Sequence, residues 1–461
     1  MIFRLATLLG LAPLLSATGA SALIFTNLYV FSAGSFPAVP NAVVTNSDGV
    51  NPNGFVVANG TLYGTAAAGG LFGYGTLFRL DLASEHFTNL FDFSLGTFQP
   101  GTATYLNSTG DSPNPGLLLV NNTLYGTTYS GGEYDAGTVF KINTDGSSFA
   151  VVHSFNSMDG QGPSSGLTWY GNALYGTTSS GGTSQDGTIF QINLNDLSFV
   201  SLYSFTNQEQ PYGGVVVSSN LIYGFGRYGG ASSNGVVYSF GLDGSGYTDL
   251  FDFDGTNGSS SYSTPVLSGN TLFGVTYQGG TNGGGNVFRI NTDGQQYANL
   301  YSFQPQSATN TTGFHPYDFA GLVLSGNRLF GTTSVGGAGA HGTAFQLYTN
   351  GSGFTVLHSF QYSDGGHPES LILSRGTLYG MSSTGLQGMP IGNGGVFELI
   401  LQPALNLAFS GNQAILTWND PSYFLYSAPS ITNAFAKITG ATSPFTNGVT
   451  ATQGFFQIRS N

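Results

Sequence analysis

Apolar and polar residues alternate along this chain in short runs of five to seven, and the runs return in the same order. Residues 166–205 hold four of them, at 166–170, 173–178, 187–193 and 199–205. Period-two alternation over such lengths predicts four β-strands, a to d. Gly171-Asn172 separates the first two, and Asn, Gly and Asp mark the other turns.

The segment Leu174-Tyr175-Gly176-Thr177-Thr178-Ser179-Ser180-Gly181-Gly182 anchors this unit. Its aromatic-Gly pair recurs at Tyr63, Tyr125, Tyr175, Tyr223, Phe273, Phe330 and Tyr379, seven copies spaced by about fifty residues. From that aromatic to the aromatic of strand c is fifteen residues in six copies; only the last, 379 to 397, is longer. Four strands in about fifty residues match a propeller blade better than a solenoid coil.

A strand-d segment, residues 25–31, stands alone before the first repeat. It matches 87–93, 149–155, 199–205, 247–253, 297–303 and 354–360, while the last repeat has no such segment after it. The N-terminal strand therefore fills the last blade and closes the ring. The expected fold class is all-β: a seven-bladed β-propeller of four-stranded blades over 23–401, then a small C-terminal β-sandwich over 402–461. Residues 1–22 read as a signal peptide, with Arg4 before an apolar run at 5–15 and a small-x-small site at Ala20-Ser21-Ala22. A secreted or cell-surface protein is expected.

Composition narrows the partners. Charged residues are 7% of the chain, too few for long surface helices. The net charge is −13 with only Lys141 and Lys437 as lysines, which excludes nucleic acid and a polybasic lipid patch. There is no cysteine, so packing and ring closure replace disulfides. No later apolar run is long enough to span a membrane, and a monomer is expected.

The unit Leu-Tyr-Gly-Thr-Thr-x-x-Gly-Gly, then Gly-Thr-Val-Phe, Asp-Gly and a strand ending Ser-Phe, resembles the GloVer (Gloeo–Verruco) tandem repeat of exported bacterial proteins. The resemblance covers residues 25–400. Blade seven departs from it, since Gly380-Met381-Ser382-Ser383-Thr384-Gly385 lacks the Gly-Gly pair. The resemblance implies export and a variable C-terminal region, and it brings no activity, cofactor or site residue with it.

Candidate chemistry lies in loops. Long d-to-a crossovers at 32–53, 94–115 and 304–320 should share a face with the Gly-Gly loops, as a binding surface would. Tyr129, Tyr134 and Tyr228 near those loops suit stacking on sugar rings or packing between blades. Asp135 and Asp186 belong to the same loops, and so do His315, His341 and His367. The three histidines are a candidate metal cluster without i,i+4 or HExxH spacing. Asp159, Asp254 and Asp364, each just after a strand d, are Ca²⁺ candidates, yet Asp-Gly is equally good turn chemistry. His153 and His358 replace strand-d aromatics and read as packing. No resident cofactor is expected.

Paired carboxylates cannot be identified among loop acids such as Glu133, Asp135, Asp186 and Glu369. No nucleophile elbow occurs, and two tryptophans are too few for a quinoprotein propeller. The preferred expectation is a binding or surface-interaction module for polysaccharide or another cell-surface polymer. A propeller glycoside hydrolase or polysaccharide lyase predicts acids, or His with Tyr, converging at the channel mouth. A matrix or surface-layer component predicts seven similar loops, contrary to the three long crossovers.

Overall fold

A glycine in the second strand of each repeat decides how that repeat can fold. In the computed structural model of the chain, Gly64, Gly126, Gly176, Gly224, Gly274 and Gly331 lie directly opposite Phe78, Phe140, Phe190, Tyr238, Phe288 and Phe345. The ring of each aromatic lies across its glycine. A β-carbon on Gly176 would come 2.3 Å from Phe190 Cζ, and one on Gly380 2.2 Å from Phe397 Cζ. All seven strand-c aromatics are fully buried.

The structure describes residues 3–5, 24–34, 44–94, 96–99, 104–305, 310–316, 321–385, 394–401, 405–410, 413–418, 423–428, 436–441, 445–448 and 454–460. Among them there is no helix. The repeats form seven antiparallel sheets in a ring, a seven-bladed β-propeller. Blade one consists of Val50–Ala58, Thr61–Ala68, Thr76–Asp81 and Phe87–Asp92. In blades two and three the innermost strand is split, Asp111–Pro113 with Leu118–Val120 and Gln161–Pro163 with Thr168–Tyr170. The innermost strands of blades four to six include Val216–Ser218, Val266–Ser268 and Val323–Ser325. Blade seven runs Gly366–Ser374, Thr377–Thr384 and Gly395–Ile400, and takes Ile24–Val30 as its outermost strand. The closure read from the orphan N-terminal segment is the one observed.

One aromatic joint is repeated at every blade boundary. The Phe that ends strand d packs edge-on or tilted against the strand-c aromatic of the next blade. The pairs are Phe93–Phe140, Phe155–Phe190, Phe205–Tyr238, Phe253–Phe288, Phe303–Phe345 and Phe360–Phe397, with centroids 5.0 to 5.4 Å apart. Phe31 makes the seventh, 5.2 Å from Phe78, and thereby joins blade seven to blade one. Each such Phe also donates its backbone N–H to the glycine before strand c, from Phe93 to Gly75 (3.0 Å) through to Phe31 to Gly394 (3.2 Å). Two residues earlier in strand d, a second ring stacks on the strand-d aromatic of the next blade, as Phe91 does on Phe149 at 3.8 Å. His153 takes this place against Phe199 at 3.5 Å, which is the packing role expected of it.

The C-terminal residues form two small antiparallel sheets. One holds Leu405–Ser410, Gln413–Trp418 and Phe445–Gly448. The other holds Tyr423–Ala428, Ala436–Lys437 and Gly454–Ser460, with Phe3–Leu5 paired to the last. Those three residues belong to the segment read as a leader; the rest of 1–22 lies outside the described residues.

If Phe31 is one joint among seven, truncating it should cost as much as truncating an internal one. Phe31→Ala and Phe93→Ala should each lower unfolding free energy by about 3–5 kcal/mol in urea titrations. A near-silent Phe31→Ala would contradict the closure. Gly176→Ala drives a methyl into the Phe190 ring and should cost about 1–3 kcal/mol by the same measurement.

Candidate ligand site at the channel mouth

The innermost strands approach one another backbone to backbone. A β-carbon on Gly116 would lie 2.5 Å from Gly166 Cα, and one on Gly54 2.3 Å from Gly116 N. Threonines two residues beyond the motif aromatic stitch these strands together. Thr65 donates to Asn114 O (3.2 Å), Thr127 to Ser165 O (3.1 Å) and Thr177 to Gly213 O (2.9 Å). The innermost strands are therefore closely packed at that level. The Gly-Gly loops hydrogen-bond to the d-to-a crossovers: Gly70 N–H donates to Asn46 Oδ1 (2.8 Å) and Gly182 N–H to Ser157 O (2.8 Å). The crossovers and Gly-Gly loops thus share one face, as expected.

On that face a tripeptide, x-Pro-x in six blades, lies at or ahead of each innermost strand. These are Asn51-Pro52-Asn53, Ser112-Pro113-Asn114, Gly162-Pro163-Ser164, Gln210-Pro211-Tyr212, His315-Pro316-Tyr317, whose last residue lies outside the described residues, and His367-Pro368-Glu369, with Ser260-Ser261-Tyr262 in blade five. The first residue of all seven is left-handed, with φ between +42° and +62°. For the six that are not glycine this backbone costs about 1 kcal/mol each. In six blades its N–H is held by the preceding blade: Ser112 donates to Tyr74 O, Gly162 to Ala136 O, Gln210 to Asp186 O, Ser260 to Asn234 O, His315 to Gly284 O and His367 to His341 O. Asp186 and His341 thus occupy one repeat position and serve this joint through their carbonyls.

The first and third residues of these tripeptides, with the fourth residue after each motif aromatic, supply most of the wall of two cavities. The larger, about 670 Å³, is lined by Arg227, Tyr262, Tyr277, His315, His367 and Glu369, with Phe314, Ser334, Val335 and Pro368. The other, about 500 Å³, is lined by Tyr129, Tyr212, Asn51, Asn53, Asn114 and Glu369 among others. Glu369 belongs to both walls.

Arg227 is the cation of the site. Its guanidinium carbon lies 4.4, 4.7 and 5.0 Å from the ring centres of Tyr228, Tyr262 and Tyr212, a cation–π cage. Tyr277 packs at 4.3 Å between ring centres on His315. Burial holds the His315 and His367 imidazoles below their ordinary pKa, and neighbouring His341 adds to the effect on His367. Both are therefore neutral at pH 7. Burial pushes the Glu369 carboxyl up to about 7, partly offset by the Ser383 hydroxyl. Burial likewise pushes the Tyr262 phenol up to about 12.

Of the residues singled out in the sequence, Tyr129, His315, His367 and the loop acid Glu369 line the cavities, and the Tyr228 ring faces the Arg227 guanidinium. His341 packs its ring near Tyr362, 5.5 Å between centres. Tyr134 is 57% exposed on an outer loop, and Asp135 accepts the Gly131 N–H at 3.0 Å. The Ca²⁺ candidates close turns. Asp159 faces His153 Nε2 (3.1 Å) and accepts the Asn156 N–H (3.0 Å). Asp364 does the same with His358 (3.0 Å) and Gln361 (2.6 Å), and Asp254 accepts the Thr256 and Asn257 N–H groups (2.8 and 2.9 Å). Among the described residues no three His, Cys, Asp or Glu side chains gather as a metal site would require. The sequence reading passed over Arg227, Tyr212, Tyr262 and Tyr277. The columns that hold them are visible once the repeats are aligned, as the x-Pro-x tripeptide and the fourth residue after the motif aromatic.

Fold and site together define a seven-bladed β-propeller whose blade-to-blade differences meet at one channel mouth. The chain belongs to the Gloeobacter/Verrucomicrobia repeat family, whose profile matches residues 101–210 and 203–397. No curated protein matches its sequence. Among solved structures, the GH74 enzyme of Niastella koreensis is 15% identical over 87% of this chain and 60% of that one, with a TM-score of 0.49. An oligogalacturonate lyase from Vibrio parahaemolyticus is 9% identical over 87% and 97%, with a TM-score of 0.48. A chain of a nidogen/laminin complex is 13% identical over 61% and 93%, with a TM-score of 0.37. Likenesses at these levels bear on no activity.

Glu369 gives the site a stability signature. Its folded pKa, about 7, exceeds the ordinary value of 4.5. Its contribution to stability is therefore complete below about pH 4.5 and is lost as pH rises through about 7. Thermal melts should show the wild type losing stability relative to Glu369→Gln between those pH values. Parallel melting curves would place the ordinary carboxyl pKa there instead.

Proposed function

We propose that this chain is an exported binding protein that takes a polysaccharide at the channel mouth. The observation that carries the reading is the make-up of the two cavities. Four tyrosines, Tyr129, Tyr212, Tyr262 and Tyr277, stand among hydrogen-bonding side chains from Asn51, Asn53, Asn114, His315 and His367. Sugars present just this pairing of apolar ring faces and a hydroxyl rim. Aromatic rings cover the former, and amide and imidazole groups bond the latter. Tyr129, at 46% exposed, is well placed to meet a polymer arriving from solvent.

A hydrolytic reading draws less support. Among the described residues that line the cavities, Glu369 is the only carboxylate, whereas glycoside hydrolysis ordinarily uses two. Export itself rests on the leader-like pattern of residues 1–22. Among the described residues no lysine lines the cavities, which argues against a phosphate track.

A panel of soluble polysaccharides against the chain from Leu23 onward should return at least one ligand. Tyr129→Ala should then weaken it about 3- to 10-fold, the value of one ring contact, with an unchanged melting temperature. Chain shortening of any polymer in the panel would move the assignment to an enzyme. An unaltered affinity in Tyr129→Ala would move the site away from this mouth.

A further inference from the structure

The chain carries nine Lys and Arg residues in all, and among the described residues Arg227 is the only one that lines either cavity. It is half-buried, and its Nε is fully enclosed without a hydrogen-bond partner. Among the described residues the ion pairs are His153–Asp159 and His358–Asp364, so the guanidinium has no carboxylate beside it. Its neighbours are the faces of Tyr212, Tyr228 and Tyr262. Those rings offset part of the cost of desolvating a charge, yet they accept none of its five N–H hydrogens. A guanidinium positioned by aromatic faces in a cavity of about 670 Å³ keeps its donor fork for something that enters.

We infer that the polysaccharide bound here is acidic, and that Arg227 binds the carboxylate of a uronate residue through its planar fork. The inference rests on the carbohydrate reading above and names the class of sugar. A carboxylate matches the fork in two parallel N–H···O bonds, which a neutral hydroxymethyl group at the same carbon does not. Tyr262, whose ring faces Arg227, and Tyr277 line the same cavity as the guanidinium, so a pyranose ring can lie against an aromatic face while its carboxylate meets the cation. In the same lining, His315 and His367 are neutral hydrogen-bonding groups, and Glu369 carries a proton over the lower part of the physiological range. None of these repels an anion under those conditions. The protein's overall charge of −13 does not favour anions at large, so a preference for acidic sugar has to come from this cavity.

The test is calorimetric titration of the mature chain at pH 6 with matched polymers: polygalacturonate and its fully methyl-esterified form, and dextran with and without sulfate esters. The inference expects polygalacturonate to bind well above its ester, and added NaCl to weaken that binding. Arg227→Gln should lose roughly 10- to 100-fold for the acid polymer and much less for the ester, so that the ratio of the two affinities collapses. Arg227→Lys, which keeps the charge without the fork, should recover only a small part. Equal binding of acid and ester, with Arg227→Gln silent, would overturn the inference and leave the carbohydrate reading standing. A preference for the sulfated dextran would overturn the assignment to carboxylate. No binding to any of the four would overturn both. Because the salt and ester comparisons use the wild type alone, they decide the matter even if the Arg227 variants fold poorly.

Discussion

The contact on which the propeller depends is an aromatic ring laid across a glycine. Without a β-carbon at Gly176 the Phe190 ring can settle onto strand b, and its edge then stands ready for Phe155 of the blade before. The same three-part joint holds at every boundary, with Tyr238 substituting for Phe once. Each joint buries two rings completely, at roughly 1.5–3 kcal/mol per ring. A chain without cysteine thus obtains a cross-link at each blade boundary from packing alone. Phe31 matters because an open ring would expose one such ring face and leave one blade three-stranded.

The same constraint explains where function can be placed. Residues that make the joints are fixed in type by space: glycine, a c-strand aromatic, a d-strand Phe. Residues at the channel mouth are fixed only in backbone. In six of the seven tripeptides the left-handed first member has its N–H bound to the preceding blade, irrespective of its side chain. That is why Ser112, Gln210, His315 and His367 can occupy equivalent places. Strain of this kind persists where surrounding structure over-determines it, and here the interblade hydrogen bond does so. The ring supplies seven equivalent backbone mounts and leaves the chemistry of each one open.

This division also sets what was legible in the sequence. The fifteen-residue spacing from Tyr175 to Phe190, repeated in five other copies, reports the b–c hairpin; with the seven aromatic-Gly pairs and the orphan segment 25–31 it made fold, blade number and closure legible. His153 and His358 were legible as packing because they stood in an aromatic column. The site was legible only in part. Reading repeats for what they share discards the columns in which they differ, and Arg227, Tyr262 and Tyr277 sit in those columns. Asp186 and His341 looked chemical by residue type, but the structure employs their carbonyls, which no side-chain pattern announces. The turn aspartates were ambiguous for a related reason: Asp159 and Asp254 satisfy themselves with local N–H groups, a geometry that sequence cannot separate from metal ligation.

Sevenfold similarity would by itself give a mouth of uniform character, and the substitutions break it by sector. Blades four and five contribute the cation and three of the cavity tyrosines, namely Arg227, Tyr212, Tyr262 and Tyr277. Blades six and seven contribute His315, His367 and Glu369. With both imidazoles neutral, the charge of the larger cavity is governed by Arg227 and Glu369 alone. It is positive while Glu369 holds its proton and near zero once that carboxyl ionises at about pH 7. The negative surface of the remaining protein does not reach far into such a recess at physiological ionic strength, where screening acts over about 8 Å. A cavity of this kind can discriminate by charge although the protein around it carries the opposite sign, because the deciding cation sits within a few ångströms of whatever fills the space.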